Sequence, residues 1–139
     1  DVYSQKDTLK EVIARLKEKG IIVSLFVDPD EKQIEAAKAV GSDAVELHTG
    51  KYANTKNEIA REEELSKLIK AGKISTELGL ILNAGHGLDY GNVVSVAKIP
   101  NMHTLNIGFA IIAKAVFVGL YNAVKEMKDL ISFTVEKER

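Results

Sequence analysis

Glu46 stands in the short apolar run Ala44-Val45-Glu46-Leu47, where a surface residue is not expected. Its carboxylate either pairs with a Lys or Arg inside a sheet or, left desolvated, acts as a base or steadies a developing positive charge. His86 lies between Gly85 and Gly87, directly after another apolar run. Small neighbours let a ligand approach the backbone and leave the imidazole projecting, and a reference pKa of about 6.5 suits proton exchange near neutrality. The competing reading is a turn that merely needs glycines. Gly108 precedes a helical pattern starting at Phe109, so free N–H groups there form an anion site. His48, followed by Thr49-Gly50, sits beside Glu46 and either orients it or reacts. Asp28-Pro29-Asp30 is better explained as a helix-capping turn than as a metal pair. His103 precedes its strand at the opposite end and reads as structural or exposed. No HExxH, phosphate-loop lysine or GxGxxG pattern occurs, which removes the usual support for zinc proteolysis, nucleotide hydrolysis and dinucleotide binding.

The elements that must position these residues follow from periodicity. Leu9, Val12, Ile13 and Leu16 recur at helical spacing within Gln5 to Lys19, and Gly20 ends that helix. Ile21 to Val27 is a β-branched run that predicts a buried strand, and Asp30 caps a helix from Glu31 to Val40. Ala44 to Leu47 predicts a strand and His48 to Asn54 a polar loop. A long charged helix follows from Glu58 to Leu78, with Gly72 weakening it by about 1 kcal/mol relative to Ala. Leu80 to Ala84 predicts a third strand, Tyr90 to Ala97 a short helix, and Thr104 to Ile107 a fourth strand. Phe109 to Lys128 is helical in two pieces broken near Gly119, and the charged tail beyond Phe133 is expected to fray. Strands separated by helices imply parallel pairing through right-handed crossovers.

Side chains alternate along a strand, so each strand has two faces. Val23, Leu25, Val27, Val45, Leu47, Leu80, Leu82, Ala84, Leu105 and Ile107 form one apolar face, suited to packing under helices. The other collects Asp28, Glu46, His48, Asn83 and Asn106, expected at one level near the strand ends. An ordinary doubly wound sheet is apolar on both faces. A sheet curled around a polar site instead describes the C-terminal mouth of a (β/α) barrel, although four strands are half of the eight such a barrel needs. An open sheet covered by helices is the alternative.

Composition supports one α/β unit spanning residues 1–139. Lys plus Arg total 19 against 20 Asp plus Glu, a net charge of −1, which offers no basic field for nucleic acid. No apolar run reaches the roughly 20 residues that cross a bilayer, so a soluble cytoplasmic protein is expected. There is no Cys, hence no disulfide or thiolate site. The chain opens at Asp1 without Met, which suggests processing or a fragment of something longer.

Four ordered motifs carry a resemblance: Val23-Ser24-Leu25-Phe26-Val27-Asp28, Val45-Glu46-Leu47-His48-Thr49-Gly50, Asn83-Ala84-Gly85-His86-Gly87-Leu88 and Leu105-Asn106-Ile107-Gly108. Together they resemble the pyridoxine 5′-phosphate synthase family, and Ala115-Val116-Phe117-Val118-Gly119-Leu120 is similar to its last helix. The resemblance covers the C-terminal half of that enzyme. It implies a parallel (β/α) half barrel, strands five to eight of a TIM (β/α)8 barrel with the preceding helix. It implies a transferase-type condensation of 1-deoxy-D-xylulose 5-phosphate with 3-amino-2-oxopropyl phosphate, giving pyridoxine 5′-phosphate, phosphate and water in vitamin B6 biosynthesis. The family works without metal or organic cofactor and generally assembles as an octamer. By motif, Glu46 matches the carboxylate that stabilises reacting intermediates and His86 the proton donor. Gly87 and Gly108 match positions binding the amino-oxopropyl phosphate. Phe109 stands where many members have His; a backbone N–H contact to phosphate would tolerate this change, whereas loss of an imidazole charge would weaken binding. The family's other acid–base His and Glu, and its Arg for the pentulose phosphate, belong to the N-terminal half. The expected partners are therefore small phosphorylated substrates and either the N-terminal half or a second copy closing the barrel, with no nucleic acid and no membrane. A flavodoxin-like, non-catalytic anion-binding domain is the alternative.

Overall fold

The structure, a computed structural model, describes residues 1–136 of the 139. After a short 3-10 turn at Tyr3–Gln5, the chain alternates helices and strands as α1 (Lys6–Lys17), β1 (Ser24–Val27), α2 (Glu31–Ala39) and β2 (Ala44–His48). It continues with α3 (Gly50–Asn54), α4 (Glu58–Glu77), β3 (Ile81–Gly85), α5 (Val93–Ala97), β4 (Met102–Asn106), α6 (Phe109–Val118) and α7 (Leu120–Glu136). All neighbouring strands pair in parallel, in the order β1-β2-β3-β4. That sequential order is the order of a barrel wall. A doubly wound sheet reverses its strand order at a switch point, and this one does not.

The core lies on one face of the sheet. Val27, Val45, Leu47, Leu82 and Ala84 pack against Ile34 and Ala37 of α2, Leu68 and Ala71 of α4, and Val96 and Ile99 around α5. The second face is open: Phe26 is 55% exposed and Ile81 41%. Helices cover one side and polar groups occupy the other, as half of a barrel wall requires.

Several local expectations change. The first strand is shorter, because Ile21 and Ile22 lie before β1 and are exposed, and α1 buries Ile13 while Val12 faces outward. Gly72 does not interrupt α4. A Cβ there would lie 2.9 Å from Ile99 Cγ2 and 3.0 Å from Leu82 Cδ2, so the glycine lets α4 press closely against β3. The expected loop from His48 to Asn54 contains α3, whose Tyr52 is buried and donates its hydroxyl to the Asn92 carbonyl at 2.7 Å. His103 lies inside β4 and not before it. It falls at a register shift in which Met102 and Thr104 face the consecutive Leu82 and Asn83. Asp30 does cap α2, accepting from the Gln33 N–H at 3.2 Å. Gly119, at φ 81°, separates α6 from α7 as expected. The tail beyond Phe133 continues α7 through Glu136, and residues 137–139 lie outside the described residues. Among the described residues, no helix is long and apolar enough to cross a membrane.

Candidate active site

Strand register sorts the inward side chains into two tiers instead of one level. Phe26, Glu46, Asn83 and Thr104 align in the lower tier. His48, Gly85 and Asn106 align two residues further on, with Asp28 just past the end of β1. The tiers meet at Glu46. Asn106 reaches down from β4 and donates its Nδ2 hydrogen to Glu46 Oε2 at 2.7 Å. Gly85, between them on β3, makes this possible: a Cβ there would collide with Glu46 Oε1 and lie 3.0 Å from Asn106 Cβ. Of the two readings of Glu46, the ion pair is not what holds the carboxylate, since no Lys or Arg bridge to it occurs among the described residues. The Glu46 carboxyl is thus held by an amide, with its Oε1 against Gly85. Beside it, Asn83 Oδ1 is buried without a hydrogen-bond partner. An unpaired buried acceptor costs about 1–3 kcal/mol, so this position asks for a donor from outside the sheet.

His86 follows β3 immediately and is exposed. Its own backbone carries a positive φ of 82°, followed by Gly87 at 76°. The left-handed conformation is uncommon for a non-glycine residue and turns the imidazole out of the strand line. Among the described residues, His48 makes no direct bond to Glu46. Its Nδ1 lies 3.2 Å from Asp28 Oδ1, and its ring meets Phe26 edge-on at 5.1 Å and His86 at 4.9 Å. Asp28 also faces the Lys51 ammonium at 3.8 Å. The Asp28-Pro29-Asp30 turn thus splits its acids between the His48 ring and the α2 cap.

A cavity of about 860 Å³ opens over this face, lined by Phe26, Glu46, Ala53, Asn54, His86, Gly87, Leu88, Asp89, Asn106, Ile107, Gly108, Phe109 and Ala110. It brings Glu46, His86, Gly87, Gly108 and Phe109 together, while His48 stands behind His86. Gly108 caps α6 without a side-chain bond, and nothing lies within 4 Å of where its Cβ would be. The early N–H groups of a helix have no intrahelical acceptor, so this start is open to an anion. The lining includes carboxylates but no Lys or Arg. An anion held by this wall would meet backbone N–H groups, the helix dipole and the polar side chains of His86, Asn54 and Asn106, with no Lys or Arg charge.

A sequence profile of the family described as "Pyridoxal phosphate biosynthesis protein PdxJ" matches residues 1–133. The chain belongs to the PdxJ family. It is 52% identical over 132 residues to pyridoxine 5′-phosphate synthase of Coxiella burnetii (strain RSA 493 / Nine Mile phase I), covering 95% of this chain and 55% of that protein. It is 53% identical over 131 residues to the enzyme of the same name from Sulfurihydrogenibium sp. (strain YO3AOP1), covering 94% of this chain and 54% of the other. The chain thus spans about half the length of these curated relatives.

Within this PdxJ-family chain the sequence left some participants unread. Asn106 was visible as a polar strand end but not as the partner of Glu46, which lies sixty positions earlier. Gly85 looked like freedom for His86, whereas it is a strand residue that makes room for Glu46. A glycine at an inward strand position was the available signal, because such residues mark close approaches.

Proposed function

We propose that this chain is the C-terminal half of a pyridoxine 5′-phosphate synthase barrel, contributing strands five to eight. The whole enzyme condenses 1-deoxy-D-xylulose 5-phosphate with 3-amino-2-oxopropyl phosphate to pyridoxine 5′-phosphate, phosphate and water, in a cytoplasmic setting and without a metal or organic cofactor. The observation that carries this reading is the convergence of Glu46, His86 and the Gly108 backbone on one cavity at the strand ends.

The chemistry assigns each group a task. When an amine condenses with a ketone, positive charge develops on the nitrogen, and a carboxylate facing it lowers the barrier. Glu46, held by Asn106, is that carboxylate. Loss of water requires a proton on the departing oxygen, and His86 is its donor. The backbone of Gly87, Gly108 and Phe109 receives the amino-oxopropyl phosphate. Phe109 supplies a backbone N–H there, so its aromatic side chain is compatible with that role. A wall without Lys or Arg leaves the second phosphate to the Arg of the N-terminal half, and the bare Asn83 Oδ1 fits an interior completed from that side.

The chain accordingly acts in association, with an N-terminal half or with a second copy closing a pseudo-barrel, and the complete barrel forms a homo-oligomer. Replacing His86 by Gln in the completed barrel tests the assignment. Product formation should fall by about 10²- to 10⁴-fold with substrate affinity retained. Turnover unchanged by His86→Gln would contradict it.

A further inference from the structure

The residues that follow β2, Thr49 and Gly50, form a mould for His86. A left-handed non-glycine backbone persists only where the surroundings fix it more strongly than its own preference opposes it. At His86 the fixing group is Thr49, which is fully buried. Its Oγ1 lies 2.6 Å from the Gly85 carbonyl oxygen and 2.6 Å from that of His86. Those oxygens belong to the two peptide planes flanking the His86 α-carbon. Gathering both onto one hydroxyl sets the rotation of one plane against the other, which is what φ and ψ of His86 describe. The Thr49 N–H donates to the Gly85 carbonyl as well, at 2.9 Å.

Gly50 shapes the space for the ring. A Cβ there would lie 2.8 Å from His48 Nε2 and 3.0 Å from His86 Cδ2, so two imidazoles share the volume above its α-carbon. The other end of α3 completes the seat, because a Cβ on Gly87 would lie 2.8 Å from Ala53 Cβ. Asn92 closes the circuit: its Nδ2 donates to the Gly87 carbonyl at 3.2 Å, and its carbonyl accepts from Tyr52.

We propose that Thr49 and Gly50 are positioning residues for His86: the Thr49 hydroxyl sets the backbone that aims the imidazole, and the absent Gly50 side chain sets where the ring rests. Neither residue lines the cavity, so their effect passes through His86. This inference rests on the reading of His86 as the proton donor.

Thr49→Val removes the hydroxyl and preserves the shape, while Thr49→Ser keeps the hydroxyl. In the completed barrel, Thr49→Val should lower kcat about a hundredfold, the scale of a misplacement near 1 Å, with KM for both substrates little changed. Thr49→Ser should restore kcat. In the isotopically labelled chain, three-bond couplings about the His86 N–Cα bond should report the positive φ in the parent and in Thr49→Ser, and lose it in Thr49→Val. An unchanged kcat, or a fallen kcat with the His86 couplings intact, overturns the proposal. Should Thr49→Val fail to fold, Gly50→Ala decides: it keeps every hydrogen bond and adds one methyl between the imidazoles. It should lower kcat with KM little changed, and full activity overturns the proposal. If the parent barrel makes no product at all, the functional reading fails by itself, and the couplings still judge whether Thr49 sets His86.

Discussion

Glu46 is held by a neutral donor, Asn106, and not by a cation. A carboxylate neutralised by Lys would have little charge to lend to a cationic intermediate, whereas one steadied by an amide keeps it. Glu46→Gln preserves the shape and removes the charge. In the completed barrel it should lower kcat by about 10²- to 10³-fold, as loss of one electrostatic stabiliser does. A non-catalytic anion-binding domain would bind its ligand unchanged, so parallel affinity and turnover measurements separate the two readings. This residue stood out in the sequence because a Glu inside an apolar strand needs a reason. Its partner was not, since pairing two residues on β2 and β4 requires knowing that glycine occupies the strand between them. His86 was legible for a reason that proved incomplete: the flanking glycines drew attention, but His86 itself carries the unusual backbone. Thr49 gave no signal, because a hydroxyl that clamps two distant carbonyls looks like any other Thr in a polar stretch.

Elements position these residues through close approaches that composition alone misjudges. Gly72 in α4 reads as a weak point by helix propensity, yet it is the point of contact with β3. Gly72→Ala gains about 1 kcal/mol of propensity and pays about 1–3 kcal/mol for overpacking against Ile99 and Leu82, so thermal denaturation should show a net loss of roughly 1 kcal/mol. Asp43, ahead of β2, accepts from the Lys17 ammonium at 2.6 Å and from the Val23 N–H at 2.9 Å, tying α1 to the entries of β1 and β2. The Lys17 hydrogen bond first, then that of Val23, holds its carboxyl below the usual range. A lowered folded pKa contributes stability above the unfolded value of about 3.9, and that contribution is lost as pH falls through the lower folded value. Asp43→Asn should therefore cost roughly 1 kcal/mol near neutrality, a modest figure because the pair is partly exposed, and in urea titrations the gap to the parent should close as pH falls through the lowered folded value. A gap independent of pH would contradict this origin. Helix and strand order was readable from periodicity throughout. The one-turn α3 was not, since its single buried anchor, Tyr52, sits among polar neighbours and leaves no repeat to detect.

At the scale of the molecule, β1 and β4 are the outer strands of an open parallel sheet whose polar face is uncovered. Unpaired strand edges invite further pairing, and proteins ordinarily protect them. The exposed Val116, Phe117 and Tyr121 on α6 and α7 add apolar surface beyond the cavity. Sedimentation of the chain alone should show self-association, and addition of an N-terminal half should convert it to a mixed assembly; a stable monomer in both experiments would contradict the half-barrel account. Polar and apolar strand faces were legible in the sequence, and the sequential parallel order of the four strands is consistent with half of a barrel wall. Two tiers in place of one level follow from the two-residue repeat of each strand, which places His48, Gly85 and Asn106 above Glu46 and Asn83.

The most direct measurement supplies both phosphorylated substrates to three samples: this chain, an N-terminal half from a relative, and their mixture. Formation of pyridoxine 5′-phosphate with release of phosphate is then followed in each. The account predicts product in the mixture only. Full turnover by the chain alone, or none in a mixture shown to have assembled, would contradict it.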